Sequence, residues 1–414
     1  MFMSLEKNPL NFETFWNFNL QASSIALEEE KDVIEKGYKP LIMLYDKHPS
    51  IKADVAFTGY TSIRIAEHAP EFVDVIKSGV KRGQFNLMFS AGYAHAMVSL
   101  LPYEDVRLQL ERGLDIHRRI WGSNPEGYHC PEGQFDFTLP KLLTEVGVKW
   151  AETGDIIYKE SPFEEYVSEE DLYRAVYATG IEGSKIPIVF SSRSRFKPVF
   201  LRILRHENVT ANIKEFIRMM DELQKLNKNG DLIISMGMDP ELIHYMDPDK
   251  GFALDRFMTA LEKVSYLKFV TFDEYLRTHK PSKTVSLKTT PSSGAGMAFD
   301  VWLKGSEKLD TLCNRAREQI HIAESIIMLA EKLGFNVSKA KTLLDQAWDH
   351  LLLSEDSDAR SAASVFRREF FMFNMGTFYK GATSRSMAAY ENALKALELS
   401  KEAIAAIEGK QECD

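Results

Sequence analysis

Between residues 12 and 271 the chain repeats one unit, a short apolar run followed by a longer stretch with helical spacing. Candidate strands fall at 12–20, 53–58, 84–89, 127–130, 149–152, 186–190, 231–236 and 268–271. Helical periodicity marks 61–82, 103–121, 138–146 and 210–227. Strands separated by helices cannot be hairpin partners; they lie parallel and are joined by right-handed crossovers. Seven or eight such units predict an α/β fold, a distorted (β/α)7-8-type barrel, closed or nearly closed. In such a barrel reactive side chains collect where the strands end.

Two stretches break the repeat. Residues 155–185 are acidic and aromatic and read as an elaborated loop over the barrel mouth. From 279 to 296 the composition shifts to Pro, Ser, Thr, Lys and Gly, which reads as a linker. Beyond it helical spacing runs through 303–333, 338–353, 359–375 and 384–407, predicting a bundle of three or four helices with the Phe-rich segment 365–378 in its core. The expected division is a catalytic barrel over 1–280, a linker over 281–297 and a C-terminal helical bundle over 298–414.

A net charge of −9 argues against nucleic acid and anionic membranes as partners. Three cysteines without a CxxC spacing fit a reducing compartment and disfavour a disulfide framework. No apolar run approaches the roughly 20 residues that span a bilayer, and the N-terminal residues lack a basic and apolar leader. A soluble, cytoplasmic protein is expected. The histidines form no HxH, HxxxH or HExxH spacing and no phosphate-binding glycine loop is present, so neither a metal nor a cofactor is expected. The oligomeric state is left open, a homodimer being one option.

Tyr128-His129-Cys130-Pro131-Glu132-Gly133 closes one apolar run, and Asp239 closes another, 231–238. Packing explains neither carboxylate. Paired carboxylates at the ends of two strands are what acid/base or nucleophilic sugar chemistry requires. A solvated turn residue is the plain alternative for each.

At these residues the chain resembles glycoside hydrolase family 57, retaining enzymes acting mainly on α-glucans, and the resemblance extends from about residue 17 to 378. Tyr128–Phe135 is similar to the family's W-x-P-E motif, which implies that Glu132 is the nucleophile. Met238–Met246 is similar to its D-A-E-L-F-G-H-W motif, which implies Asp239 as general acid/base and Glu241 as the matching second carboxylate. Ser90–Pro102 stands where branching-type members carry Thr-His-Ala, and His95 fits it. Residues 340–360 resemble the helical domain's L-L-x-A-x-x-S-D segment, placing Asp358 at the cleft. The family's first-strand His-x-His is replaced here by Asn17 and Asn19, and the motif tryptophan by His129.

The resemblance implies a hydrolase or glucanotransferase acting on α-linked oligosaccharides or polysaccharides through a glycosyl-Glu132 ester, with the two carboxyls about 5–5.5 Å apart. Asn17, Asn19, His95, His129, Trp150, Asp155, Glu241 and Asp358 are the candidate substrate contacts. Trp150 could equally be core, His95 a satisfied interior histidine, and Asp356 and Asp358 helix caps. Two rival readings stand: a carbohydrate-binding pseudoenzyme on the same fold, and a metal-dependent sugar deacetylase.

Overall fold

β1 (Leu10–Phe18) is buried on both faces along its whole length, so its alternation separates two packed environments rather than core from water. One row meets helices: Phe18 packs on Tyr38 and Phe72, and the Trp16 indole donates to the Tyr45 hydroxyl at 2.6 Å. The other row, Asn11, Glu13, Phe15 and Asn17, faces the interior of a curled sheet. The computed structural model describes residues 8–161, 167–281, 283–289, 299–363 and 379–410.

The remaining strands of this sheet are β2 (Ala53–Phe57), β3 (Phe85–Ser90), β4 (Gly127–His129), β5 (Trp150–Gly154), β6 (Val176–Thr179), β7 (Lys185–Ser191), β8 (Ile233–Met238), β9 (Leu267–Phe269) and β10 (Thr284–Val285). Their order is β10-β6-β7-β5-β4-β3-β2-β1-β8, with β9 beside β1. Every pairing is parallel except β6 with β7. Just past β7, the Ser192 amide donates to the Ser235 carbonyl of β8 at 2.9 Å. That bond joins the ends of the path from β7 to β8 and closes a ring of seven strands, the (β/α) barrel the alternation predicts. Phe15, Ala56, Met88, Trp150, Val189 and Ile233 share one interior cluster.

Gly237 lets β8 pass this cluster. A Cβ there would lie 2.1 Å from the Phe15 ring. Gly237→Ala is therefore expected to cost about 1–3 kcal/mol through overpacking, read as a lower denaturant midpoint; an unchanged midpoint would show that Phe15 moves freely.

Three expectations need correction. The segment 155–185 is not all loop: β6 adds to the sheet, burying Val176 and Ala178 against β7, and Asp155–Lys159 is helical. The helix expected over 61–82 is two, Gly59–His68 and Pro70–Lys81, because Pro70 forces Ala69 out of helical geometry. The expected linker contains β10, paired with β6; residues 282 and 290–298 lie outside the described residues.

The chain divides into two compact units, one of residues 1–20, 29–92 and 98–297, the other of 21–28, 93–97 and 298–414. In the second, helices Glu307–Lys332, Ser338–Ser354 and Tyr379–Ala405 enclose Ala323, Ile327, Ala330, Ala340 and Ala403. Alanines there bring the helix axes close. A further helix, Ser357–Ala363, follows a two-residue break at Glu355 and Asp356. The aromatic segment 365–378, expected as core, lies outside the described residues.

Candidate active site

Glu132 and Asp239 follow β4 and β8 at the same end of the parallel barrel, three residues and one residue past the last strand residue. Both are half-buried, whereas Pro131, Gly133 and Pro240 beside them are buried. The turn carrying Glu132 is strained: Glu132 has φ 56° and ψ 14°, a left-handed conformation that a residue with a Cβ adopts at a cost on the order of 1 kcal/mol. Strand β5 supports it from both sides. The Cys130 amide donates to the Glu152 carbonyl (3.0 Å), and the Thr153 hydroxyl donates to the Gly133 carbonyl (2.8 Å).

Thr153→Val keeps the shape of the side chain and removes the second bond. It is expected to lower kcat by about 10-fold to 100-fold with little change in KM, since misplacing a reacting group costs rate rather than affinity. An equal kcat in the variant would show that the turn holds without that bond.

Asn17 links the second carboxylate to the barrel. Its amide nitrogen donates to Asp239 Oδ1 at 3.0 Å, and its oxygen accepts from the Ser90 hydroxyl at 2.8 Å. Ser90, His129 and Glu152 are register partners across β3, β4 and β5. His129 Nδ1 lies 2.5 Å from Glu152 Oε2, both side chains buried. Burial pushes the Glu152 carboxyl upward, but the charge and hydrogen bond of His129, helped by Arg193, outweigh it and hold the acid below its ordinary value. His129 is thus hydrogen-bonded to Glu152, its ring 5.1 Å from that of Phe15.

Arg193 and Lys197 were missed in the sequence because isolated cations between a strand and a helix carry no motif. Burial, then Arg193, bring Lys197 down to about 8, while the carboxylates of Asp239, Glu152 and Glu132 pull it upward. One ammonium therefore senses both candidate catalytic carboxylates. Asp155 holds the segment carrying these cations: its oxygens accept from the Ser194 amide (2.9 Å) and hydroxyl (2.6 Å). Burial raises Asp155 to about 6 against those bonds.

Asn19 and Glu241 are buried, Glu241 within the turn Pro240–Leu242. Trp150 begins β5, at the end opposite the site, and its indole donates to Asp273 at 2.6 Å while packing on Phe272. His95 and Asp358 belong to the second unit, where His95 Nδ1 is 3.5 Å from Asp358 Oδ2.

The family model described as Glycosyl hydrolase family 57 matches residues 5–288, more than half of the chain. The chain belongs to glycosyl hydrolase family 57. Among its relatives, a 4-alpha-glucanotransferase of Thermococcus litoralis is 24% identical over 263 residues, covering 62% of this chain and 37% of that protein. An alpha-amylase of Pyrococcus horikoshii is 23% identical, covering 62% and 38%. The chain thus spans under two-fifths of the length of these relatives. Two solved structures share the fold of the family 57 chain: the alpha-amylase AmyC of Thermotoga maritima (TM-score 0.68, 14% identity, 96% of each chain) and a branching enzyme of Pyrococcus horikoshii (TM-score 0.70, 16% identity, 93% of this chain and 88% of that one). No helix among the described residues is long and apolar enough to cross a membrane.

Proposed function

We propose that this protein is a retaining glycoside hydrolase or glucanotransferase acting on α-linked oligosaccharides or polysaccharides. The observation that carries the reading is that two half-buried carboxylates, Glu132 and Asp239, follow β4 and β8 at the same end of the barrel and that the charge of both acts on one ammonium, Lys197. Glu132 attacks the anomeric carbon while Asp239 protonates the departing oxygen, giving a glycosyl-Glu132 ester; Asp239 then deprotonates the water or sugar hydroxyl that cleaves it. Asn17, Asn19 and Glu241 are proposed to line the sugar site. The net charge of −9 supports a neutral glycan rather than nucleic acid as partner. The buried free thiols of Cys130 and Cys313 support a cytoplasmic location.

The test is product analysis with maltoheptaose and a panel of other α-linked oligosaccharides. Shorter products alone indicate a hydrolase, and a ladder of longer and shorter products a transferase. The asparagines at 17 and 19 favour one rival, a carbohydrate-binding protein without turnover. An activated fluorosugar separates the two readings, because only the enzyme acquires a glycosyl adduct on Glu132.

A further inference from the structure

His95, Asp356 and Asp358 lie together in the second unit, and a ligand atom from each falls within 4.8 Å of the others. All three side chains are buried, at 3%, 3% and 4% exposure. Backbone contacts bring them together: Ala96 bridges Asp356, and the Ser357 amide donates to the His95 carbonyl at 2.8 Å. The 3.5 Å between His95 Nδ1 and Asp358 Oδ2 is near the roughly 3.3 Å edge of a tetrahedron built on bonds of about 2.0–2.1 Å.

Helix capping accounts for part of this arrangement. Asp356 accepts from the amides of Asp358 and Ala359, both at 3.2 Å, and each oxygen keeps a second lone pair. Capping does not require a second buried carboxylate and an imidazole at the same point. Two carboxylates removed from water need cationic compensation; the charge of Asp358 disfavours an ionised Asp356, and the guanidinium of buried Arg385 opposes that effect.

We propose that His95, Asp356 and Asp358 form a binding site for one divalent transition-metal ion, with one nitrogen and two carboxylate donors that suit zinc. The ion neutralises the carboxylate pair and pins the 93–97 segment to the start of the 357–363 helix. Motif spacing misses the site because the imidazole and the Asp-x-Asp pair stand far apart in the chain.

The test is zinc binding by the chelator-treated full-length chain, measured by calorimetry and by metal content after dialysis. One ion per chain is expected, with a melting temperature that rises with zinc concentration. Asp356→Asn preserves a capping oxygen, and His95→Gln preserves polarity and size; each is expected to weaken binding at least 10-fold and abolish the thermal shift. His48→Gln is expected to bind as wild type, although the His48 ring also lies between two carboxylates, Asp255 and Glu262. Absence of stoichiometric binding to wild type overturns the proposal, as does unchanged binding in both Asp356→Asn and His95→Gln or loss of binding in His48→Gln. None of these readouts depends on the proposed glycosidase activity.

Discussion

Glu132→Gln is expected to lower kcat on any accepted α-linked oligosaccharide by about 10⁴-fold, because a carboxamide cannot form the ester that splits the reaction into two steps. The fold should survive, since Glu132 is half-buried, Gln is close to it in size, and backbone groups and Thr153 hold its turn. Asp239→Asn should give a different pattern. It removes the proton donor but leaves the nucleophile, so substrates with good leaving groups still glycosylate Glu132 while ester breakdown becomes slow. A burst of leaving group followed by a slow steady state is the expected trace, and a small external anion such as azide should accelerate the second phase. If Glu132→Gln retained wild-type turnover, or if Asp239→Asn gave no burst and lost all substrates equally, the assignment of roles would fail.

The positions of Glu132 and Asp239 at strand ends were legible in the sequence, because an apolar run closing on a carboxylate leaves a local signature. The barrel was legible for the same reason: apolar runs and helical spacing alternate. What was hidden is what depends on distant neighbours. β6 escaped notice because its four residues sit in an acidic stretch and pair antiparallel to β7. For Trp150 the sequence left a sugar contact and core packing open, and it packs in the barrel interior against Phe272. Arg193 and Lys197 carry no motif; the Asp155–Ser194 bond holds their segment, and the charges of Asp239 and Glu132 act on Lys197 only in the folded chain. The departure at His129 also has a physical account. The imidazole sits beside Glu152 on the next strand, so this position carries a buried hydrogen-bonded pair rather than an apolar face.

The barrel interior carries a second pair of carboxylates, and it predicts the largest response to pH. Glu13 on β1 and Asp54 on β2 are both fully buried. Glu13 accepts from the Ser235 hydroxyl at 2.6 Å, and Asp54 accepts from the Asn86 amide (2.6 Å) and the Phe272 backbone amide (2.8 Å). Burial, reinforced by the charge of Asp54, pushes Glu13 well above the ordinary carboxylate range. Burial likewise raises Asp54 to about 8, against the hydrogen bonds of Asn86 and Phe272. In the unfolded chain both groups ionise near their usual values of about 4. Between there and about 8 the folded state holds more protons than the unfolded state, so stability falls as pH rises through this window. The loss between pH 5 and 8 is expected to be on the order of 2–4 kcal/mol, a large share of the stability of an ordinary domain. Asp54→Asn supplies a permanently neutral partner for Glu13; a flip of Asn86 would let its oxygen accept from the new amide. The variant should flatten the pH dependence and melt above wild type at pH 8, with the difference shrinking towards pH 5. Melting curves of the two proteins across that range decide the matter. Parallel curves would mean that the proton shared by Glu13 and Asp54 does not set the stability of the barrel.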